Sequence, residues 1–268
     1  MTANISLGQY LPGESVVHRL DPRTKIILMA VYIAIVFVVK SLAVFLLPVF
    51  LLAAMFVFAR VPASYFFSAL KPMKWLLVFM FVINLFATQG SVVWFEWKFI
   101  RLTQEAVQQA VYITLRLVLL VAGTSILTLT TSPIALTDGL EKLMAPLRRL
   151  RFPAHELAMM MTIALRFIPT LMEETDRIQK AQMARGADFE SGNIFQRAKS
   201  MIPVLVPLFV SAFRRADELA MAMESRCYHG GEGRTRMREL HFHWRDLFAA
   251  LLLSAFLVGI ILLERLPL

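Results

Sequence analysis

The sequence predicts an all-α integral membrane protein, with about five transmembrane helices and long amphipathic helices on its cytoplasmic side. Three observations point there. The first is composition: of 268 residues, 58% are hydrophobic and 21 are Phe, and the mean hydropathy is +0.64. Soluble domains lie near ~45–50% apolar, so this chain needs lipid around it. The second is a set of apolar runs separated by short polar or basic breaks. The third is a charged central stretch whose apolar residues recur at helical spacing.

The first 24 residues are mixed and polar, and no cleavable leader pattern precedes the first apolar run. Ile26–Val39 and Leu42–Ala59 are apolar runs split only by Lys40-Ser41. Together they exceed the ~20 residues of one span, which predicts a tight helical hairpin. Trp75–Thr88 is a third run, flanked by Lys71 and Lys74. Residues 89–109 are polar and carry Trp94 and Trp97, ring types expected at a membrane–water boundary. Ala110–Thr130 is a fourth span, interrupted by Arg116. A charge in mid-bilayer costs about 2.5–3.5 kcal/mol on insertion scales, so Arg116 should face another helix or a partner, or else snorkel. Leu247–Leu263 is the last span.

Basic residues set the expected orientation. Arg19, Arg23 and Lys25 precede the first span, Arg60, Lys71 and Lys74 follow the second, and only Lys40 lies between them. The positive-inside rule then places the N-terminus in the cytoplasm. Residues 131–246 hold 17 of the 28 Lys and Arg residues and fall on the same side. The expected organisation is therefore a membrane domain (1–130), a cytoplasmic or interfacial coupling domain (131–245) and a C-terminal membrane helix (246–268).

Within the central stretch, Pro133–Arg151 reads as a short amphipathic helix ending in Arg148, Arg149 and Arg151. Ala154–Arg185 is a long one. Arg166, Thr170, Glu173, Arg177 and Lys180 share one stripe, and Leu157, Met161, Leu165, Ile168 and Met172 lie opposite. Glu173–Arg177 and Asp176–Lys180 are favourable i,i+4 pairs. Ile194–Arg226 opens with the apolar run Met201–Ala212, carries Pro203 and Pro207 as expected kinks, and turns charged at Arg214, Arg215, Asp217 and Glu218. An uncharged run of ~12 residues suits an interfacial or buried helix better than a span.

No G-x-x-x-x-G-K-[ST] segment is present, so ATP phosphates are not expected to bind by that loop. Gly230-Gly231-Glu232-Gly233 lacks the Lys-Ser/Thr and reads as a flexible loop. Neither Cys227 with His229 nor His241 with His243 has a partner pair at zinc spacing, and one Cys cannot form an internal disulfide. No catalytic constellation stands out, and no cofactor or metal is expected. The formal net charge of +9 marks cytoplasmic loops in such a protein and does not imply nucleic acid.

Two tripeptides remain: Ala184-Arg185-Gly186 and Ser225-Arg226-Cys227, their arginines 41 positions apart at the ends of the two long helices. Each alone is ordinary punctuation, since a cation near a helix C-terminus interacts favourably with the macrodipole by ~0.3–1 kcal/mol. Gly186 is a candidate for the first helix stop and Gly230 for the second. As a pair they present two guanidinium groups suited to carboxylates on a partner. "RFIPTLMEETDRIQKAQMARGAD" (166–188), "AMESRCYHGGEGRTRMREL" (222–240) and "LDPRTKI" (20–26) resemble signature regions of the T components of energy-coupling factor (ECF) transporters, the EcfT type, and the likeness runs along essentially the whole chain.

That resemblance implies crossed coupling helices whose tips, here Ala184, Arg185, Gly186, Ser225, Arg226 and Cys227, dock into grooves on two ABC-type ATPases. It also implies a substrate-binding S component in the same prokaryotic cell membrane, uptake of a vitamin or micronutrient, and no solute site in this chain. Cys227 stands where the pattern has Gly, which puts a tight backbone approach there in doubt. The Met-rich helix faces, with Met161, Leu165, Met172 and Met201, are the candidate S-component contacts, because flexible thioethers re-pack against varied partners; filling a core is the alternative use. A coupling subunit shared among several S components is the first expectation, and a dedicated cobalt- or nickel-uptake T component is the alternative. A membrane enzyme acting on lipid or isoprenoid would need acidic or His clusters near span ends, and a channel would need a polar stripe along a span; neither pattern is found.

Overall fold

In the computed structural model the described residues are 10–39, 41–42, 44–88, 93–97, 100–150, 152–189, 191–230 and 240–265. The chain divides into two compact units: residues 1–142 with 239–268, and residues 143–238.

The first unit holds α1 (Pro22–Val38), α2 (Leu46–Ala59), α3 (Ala63–Leu70), α4 (Lys74–Ala87), α5 (Gln104–Thr130), most of α6 (Pro133–Met144) and α10 (Trp244–Arg265). Residues 89–109 differ from expectation. They contain an antiparallel hairpin of β1 (Val93–Trp97) and β2 (Ile100–Thr103), and α5 begins at Gln104, where the Thr103 hydroxyl accepts from the Ala106 amide. Among the described residues the architecture is all-α apart from this hairpin. Among the same described residues four helical segments are long and apolar enough to cross a membrane: Ala63–Ala87, Gln104–Thr130, Ile194–Glu224 and Trp244–Glu264.

Three of the four extend runs read as spans from sequence. Ile194–Glu224 qualifies by length and hydropathy where an interfacial helix was expected, although its apolar part stops before Arg214. The first two runs instead form α1 and α2, of 17 and 14 residues. Both fall short of the ~20 residues of a full span. Lys40, which separates the two runs in the orientation reading, lies outside the described residues, as do Arg151 and Gly231–Gly233.

The core of this unit is built on α1. Tyr32, Ile35, Val36 and Val39 are fully buried against Leu119, Ala122 and Ile126 of α5 and Leu253 and Ile260 of α10. The α1–α5 approach depends on Gly123, where an added Cβ would lie 2.4 Å from the Tyr32 ring. Tyr32 also donates to the Leu119 carbonyl at 3.2 Å.

Polar residues close both ends of this packing. At one end Asp21 caps α1, accepting from the Arg23 amide, and Pro22 occupies the first helical position, where its missing N–H costs nothing. Lys25 is buried there, and its Nζ donates to the His18 carbonyl at 3.1 Å, the Thr130 carbonyl at 2.9 Å and the Thr131 hydroxyl at 3.2 Å. Burial pulls its pKa down to about 8, while Asp246 and Asp21 pull it back up. Asp246, also buried, accepts from the backbone amides of Asp21 and His243, each at 2.9 Å.

At the other end Arg116 finds its partner. It donates to the Val39 carbonyl at 3.1 Å and to the Tyr112 hydroxyl, and lies 4.4 Å from the Tyr112 ring and 5.2 Å from that of Phe37. The guanidinium therefore serves the carbonyl-rich end of α1, which answers the sequence question in favour of another helix. Glu264 accepts from the Ser41 amide at 2.9 Å. Asp246 and Glu264 are 18 residues apart on α10, or ~27 Å, close to the ~30 Å of a hydrocarbon core.

Replacing Lys25 by Met should leave two carbonyls and a hydroxyl without their donor in a dry site. A loss of about 3 kcal/mol is expected, read as a lower unfolding midpoint of the purified protein in detergent; Asp246→Ala should behave alike.

Candidate functional site

The second unit is built on α7 (Ala154–Ala184), the short α8 (Ile194–Ser200) and α9 (Ile202–Glu224). Asn193 and Gln196 form a capping box at the start of α8. The expected single helix over 194–226 is broken at Met201. Pro203 falls in the first turn of α9, just after that interruption, and Pro207 is the interior proline. Pro169 lies inside α7.

The two helices pack antiparallel. Glu174 and Arg215 form an ion pair at 2.9 Å, and the Tyr228 hydroxyl lies 3.4 Å from His155 Nε2. Tyr228 follows α9 while His155 stands in the first turn of α7, so the end of one helix meets the start of the other. Arg226 is thus placed near the beginning of α7 and Arg185 just past its end. Thirty residues of α7 separate the two levels, or ~45 Å. The i,i+4 pairs expected from sequence, Glu173–Arg177 and Asp176–Lys180, do not close to ion pairs. Exposed pairs of that kind gain only ~0.3–0.5 kcal/mol against the entropy of two long side chains, whereas Glu174 and Arg215 are half-buried between helices.

Both arginines stand in the same backbone device. After Arg185, Gly186 adopts φ +88°; its amide bonds the Met183 carbonyl at 2.9 Å, and the Ala187 amide bonds Gln182 at 3.0 Å. After Arg226, Cys227 adopts φ +55°; its amide bonds Glu224 at 2.8 Å, and the Tyr228 amide bonds Met223 at 3.0 Å. Each is a Schellman stop with a left-handed residue next to the arginine. The stop of α9 is therefore Cys227, not Gly230, which lies three residues further on with φ +97°. An added Cβ at Gly186 would meet nothing within 4 Å. Glycine suits the position for its dihedral.

Ala184, Arg185, Gly186, Ser225, Arg226 and Cys227 are all exposed. Of the candidate apolar contacts Met161 is 54% exposed, and Leu165, Met172 and Met201 are half-buried. On α9 only Val204 is buried, while Ile202, Val206, Phe209, Val210 and Phe213 are each more than half exposed. Sequence reasoning named the Met stripe but passed over this β-branched and Phe face, whose signal was the same 3–4 spacing. Among the described residues no group of three or more His, Cys, Asp or Glu could hold a metal.

Exposed apolar helix faces, spans and a pair of arginine-tipped arms together define a multi-pass membrane protein of the transporter class. The model of the cobalt transport protein (CbiQ) family matches residues 13–237, and the chain belongs to that family. It is similar over its whole length to energy-coupling factor transporter transmembrane proteins EcfT. That of Thermosediminibacter oceani is 54% identical over 258 residues, 96% of this chain and 97% of that one. That of Clostridium kluyveri is 53% identical over 266 residues, 99% and 98% of the two chains. That of Bacillus subtilis is 48% identical over 246 residues, 92% and 93%. The resemblance read from the three motif segments thus extends along the full chain.

A non-glycine residue in the left-handed region costs roughly 1–2 kcal/mol. Cys227→Gly should tighten the end of α9 by about 1 kcal/mol, and Gly186→Ala should loosen the end of α7 by a similar amount. Amide hydrogen exchange over 221–228 and 180–187 will show the two opposite shifts.

Proposed function

We propose that this chain is the coupling subunit of an ECF-type importer. It links ATP hydrolysis in two partner ABC-type ATPases to movement of a membrane-embedded S component that carries a vitamin or micronutrient. The observation that carries the reading is the identical stop behind Arg185 and Arg226. Two exposed arginines, each on a well-formed helix stop and at levels ~45 Å apart along α7, suit two separate acidic grooves. One groove could not accept both. Ala184, Gly186, Ser225 and Cys227 complete the two tips. The exposed apolar faces of α7 and α9, with Met161, Leu165, Met172 and Met201, suit the S component. Hydrolysis belongs to the ATPases; the role of this chain is mechanical. The basic residues before α1, after α2 and across 131–246 favour a cytoplasmic N-terminus and cytoplasmic arms.

Sharing among several S components is the favoured form, since the full-length relatives carry the ECF name without a cargo. The family's description as a cobalt transport protein supports the second form, a dedicated cobalt- or nickel-uptake subunit. Co-purification with mass spectrometry separates them: several different S components indicate sharing, and a single one a dedicated partner.

Arg185→Glu with Arg226→Glu should abolish ATP-driven uptake in reconstituted vesicles and release the ATPases. Losing one partner of a buried charge pair costs about 2–5 kcal/mol, and two are lost here. Wild-type uptake by the double variant would refute the docking role. Met161→Asp, at an exposed position, should weaken S-component retention in pull-downs while leaving ATPase retention intact. Loss of both partners together would assign Met161 to the fold.

A further inference from the structure

Asp21 and Glu96 are separated by a stretch that contains no acidic residue. Arg60, Lys71 and Lys74 lie in it, and among the described residues no carboxylate pairs with either lysine. Lys71 begins the 3-10 turn Lys71–Met73 that joins α3 to α4, with Pro72 inside it. The face of this turn opens a shallow depression of about 400 Å³ lined by Phe67, Ser68, Leu70, Lys71, Lys74 and Leu77. Its lining is almost wholly apolar apart from the hydroxyl and the two ammonium groups.

Position matters as much as charge. Lys74 starts the apolar α4, and Trp75 beside it is 75% exposed with its ring 5.4 Å from the Lys74 ammonium. Lys and Trp are residue types that favour the headgroup level of a bilayer, and they stand where the 3-10 turn interrupts the Ala63–Ala87 segment. α3 and α4 pack against α5, while Phe67, Lys71 and Lys74 on the depression are exposed.

We propose that the depression at the α3–α4 turn binds one anionic phospholipid. Lys71 and Lys74 donate to its phosphate, the Ser68 hydroxyl faces the glycerol region, and Phe67, Leu70 and Leu77 receive the upper part of an acyl chain. The apolar floor selects a lipid over a soluble anion, because free phosphate gains nothing from Phe67, which is 67% exposed. The missing carboxylate selects an anionic headgroup over a zwitterionic one, whose cation would sit unpaired beside two ammonium groups. The inference stands apart from the coupling role: it uses none of the residues assigned to the arms.

The test is native mass spectrometry of the full-length, delipidated protein offered phosphatidylglycerol and phosphatidylcholine with the same acyl chains. Phosphatidylglycerol adducts should dominate. Lys71→Gln with Lys74→Gln should reduce them roughly 30-fold, about fivefold for each ammonium group. Lys71→Arg with Lys74→Arg should retain them, and Leu70→Trp, which fills the depression and keeps both charges, should weaken them. Equal binding of the two lipids, or undiminished phosphatidylglycerol binding in the Gln variant, overturns the proposal. So does displacement by inorganic phosphate, which would make the site one for a soluble anion. In the assembled transporter, cross-linking from Lys71→Cys to another subunit instead of to lipid would make the depression a protein interface and overturn it as well.

Discussion

One ammonium group holds the first unit together. Lys25 is charged, almost wholly buried and satisfied by three oxygens from segments far apart in the chain: His18 before α1, and Thr130 and Thr131 at the end of α5. Its charge is balanced by Asp21 and by Asp246 at the start of α10, which in turn bonds the Asp21 amide. A buried charge without such partners would cost several kcal/mol. The segments therefore have one arrangement in which the site is tolerable: α1 and α10 start from it and α5 ends on it, in fixed register.

The far end of the unit follows the same logic with opposite parts. There the exposed carbonyls of a helix C-terminus need donors, and Arg116 and Tyr112 supply them. Between the two ends the helices are mainly apolar, with the hydroxyls of Thr124, Ser125 and Thr128 bonded back to their own helix, and pack closely enough to require Gly123 opposite Tyr32. Polar groups gathered at two levels ~27 Å apart along α10, with a dry layer between, are what a bilayer imposes on any chain crossing it. The anionic-lipid site proposed at Lys71 and Lys74 belongs to this boundary: the protein offers cations where the bilayer offers phosphates.

The second unit obeys a different constraint. It has long helices with little buried between them, and its stiffness comes from the α7–α9 pairing, the Glu174–Arg215 bridge and well-formed stops. A helix resists compression along its axis, which suits such a pair to the proposed coupling role. Their tips keep a fixed orientation because each arginine is followed by a left-handed residue whose amide, and the next one, close back on the helix. At Cys227 that geometry is held by a side chain that disfavours it. Such strain persists only where the surrounding hydrogen bonds over-determine the backbone.

Composition and period carried the membrane class, the apolar runs and the two arginine motifs, because each is local: a run of Leu, Phe and Val, a 3–4 spacing, an arginine before a glycine. Local signals also misled at particular residues. Gly230 is a glycine near the end of α9 but not its stop, which falls at Cys227. The pairs Glu173–Arg177 and Asp176–Lys180 satisfied the spacing rule without enough gain to form. What tertiary structure alone decided are relations across distance. Glu174 meets Arg215, 41 positions on; Asp246 meets the amide of Asp21, 225 positions away; Arg116 turns from an oddity inside a span into the cap of another helix. No window of sequence contains both partners of such a contact, and burial, which gives each its worth, exists only once the chain has folded.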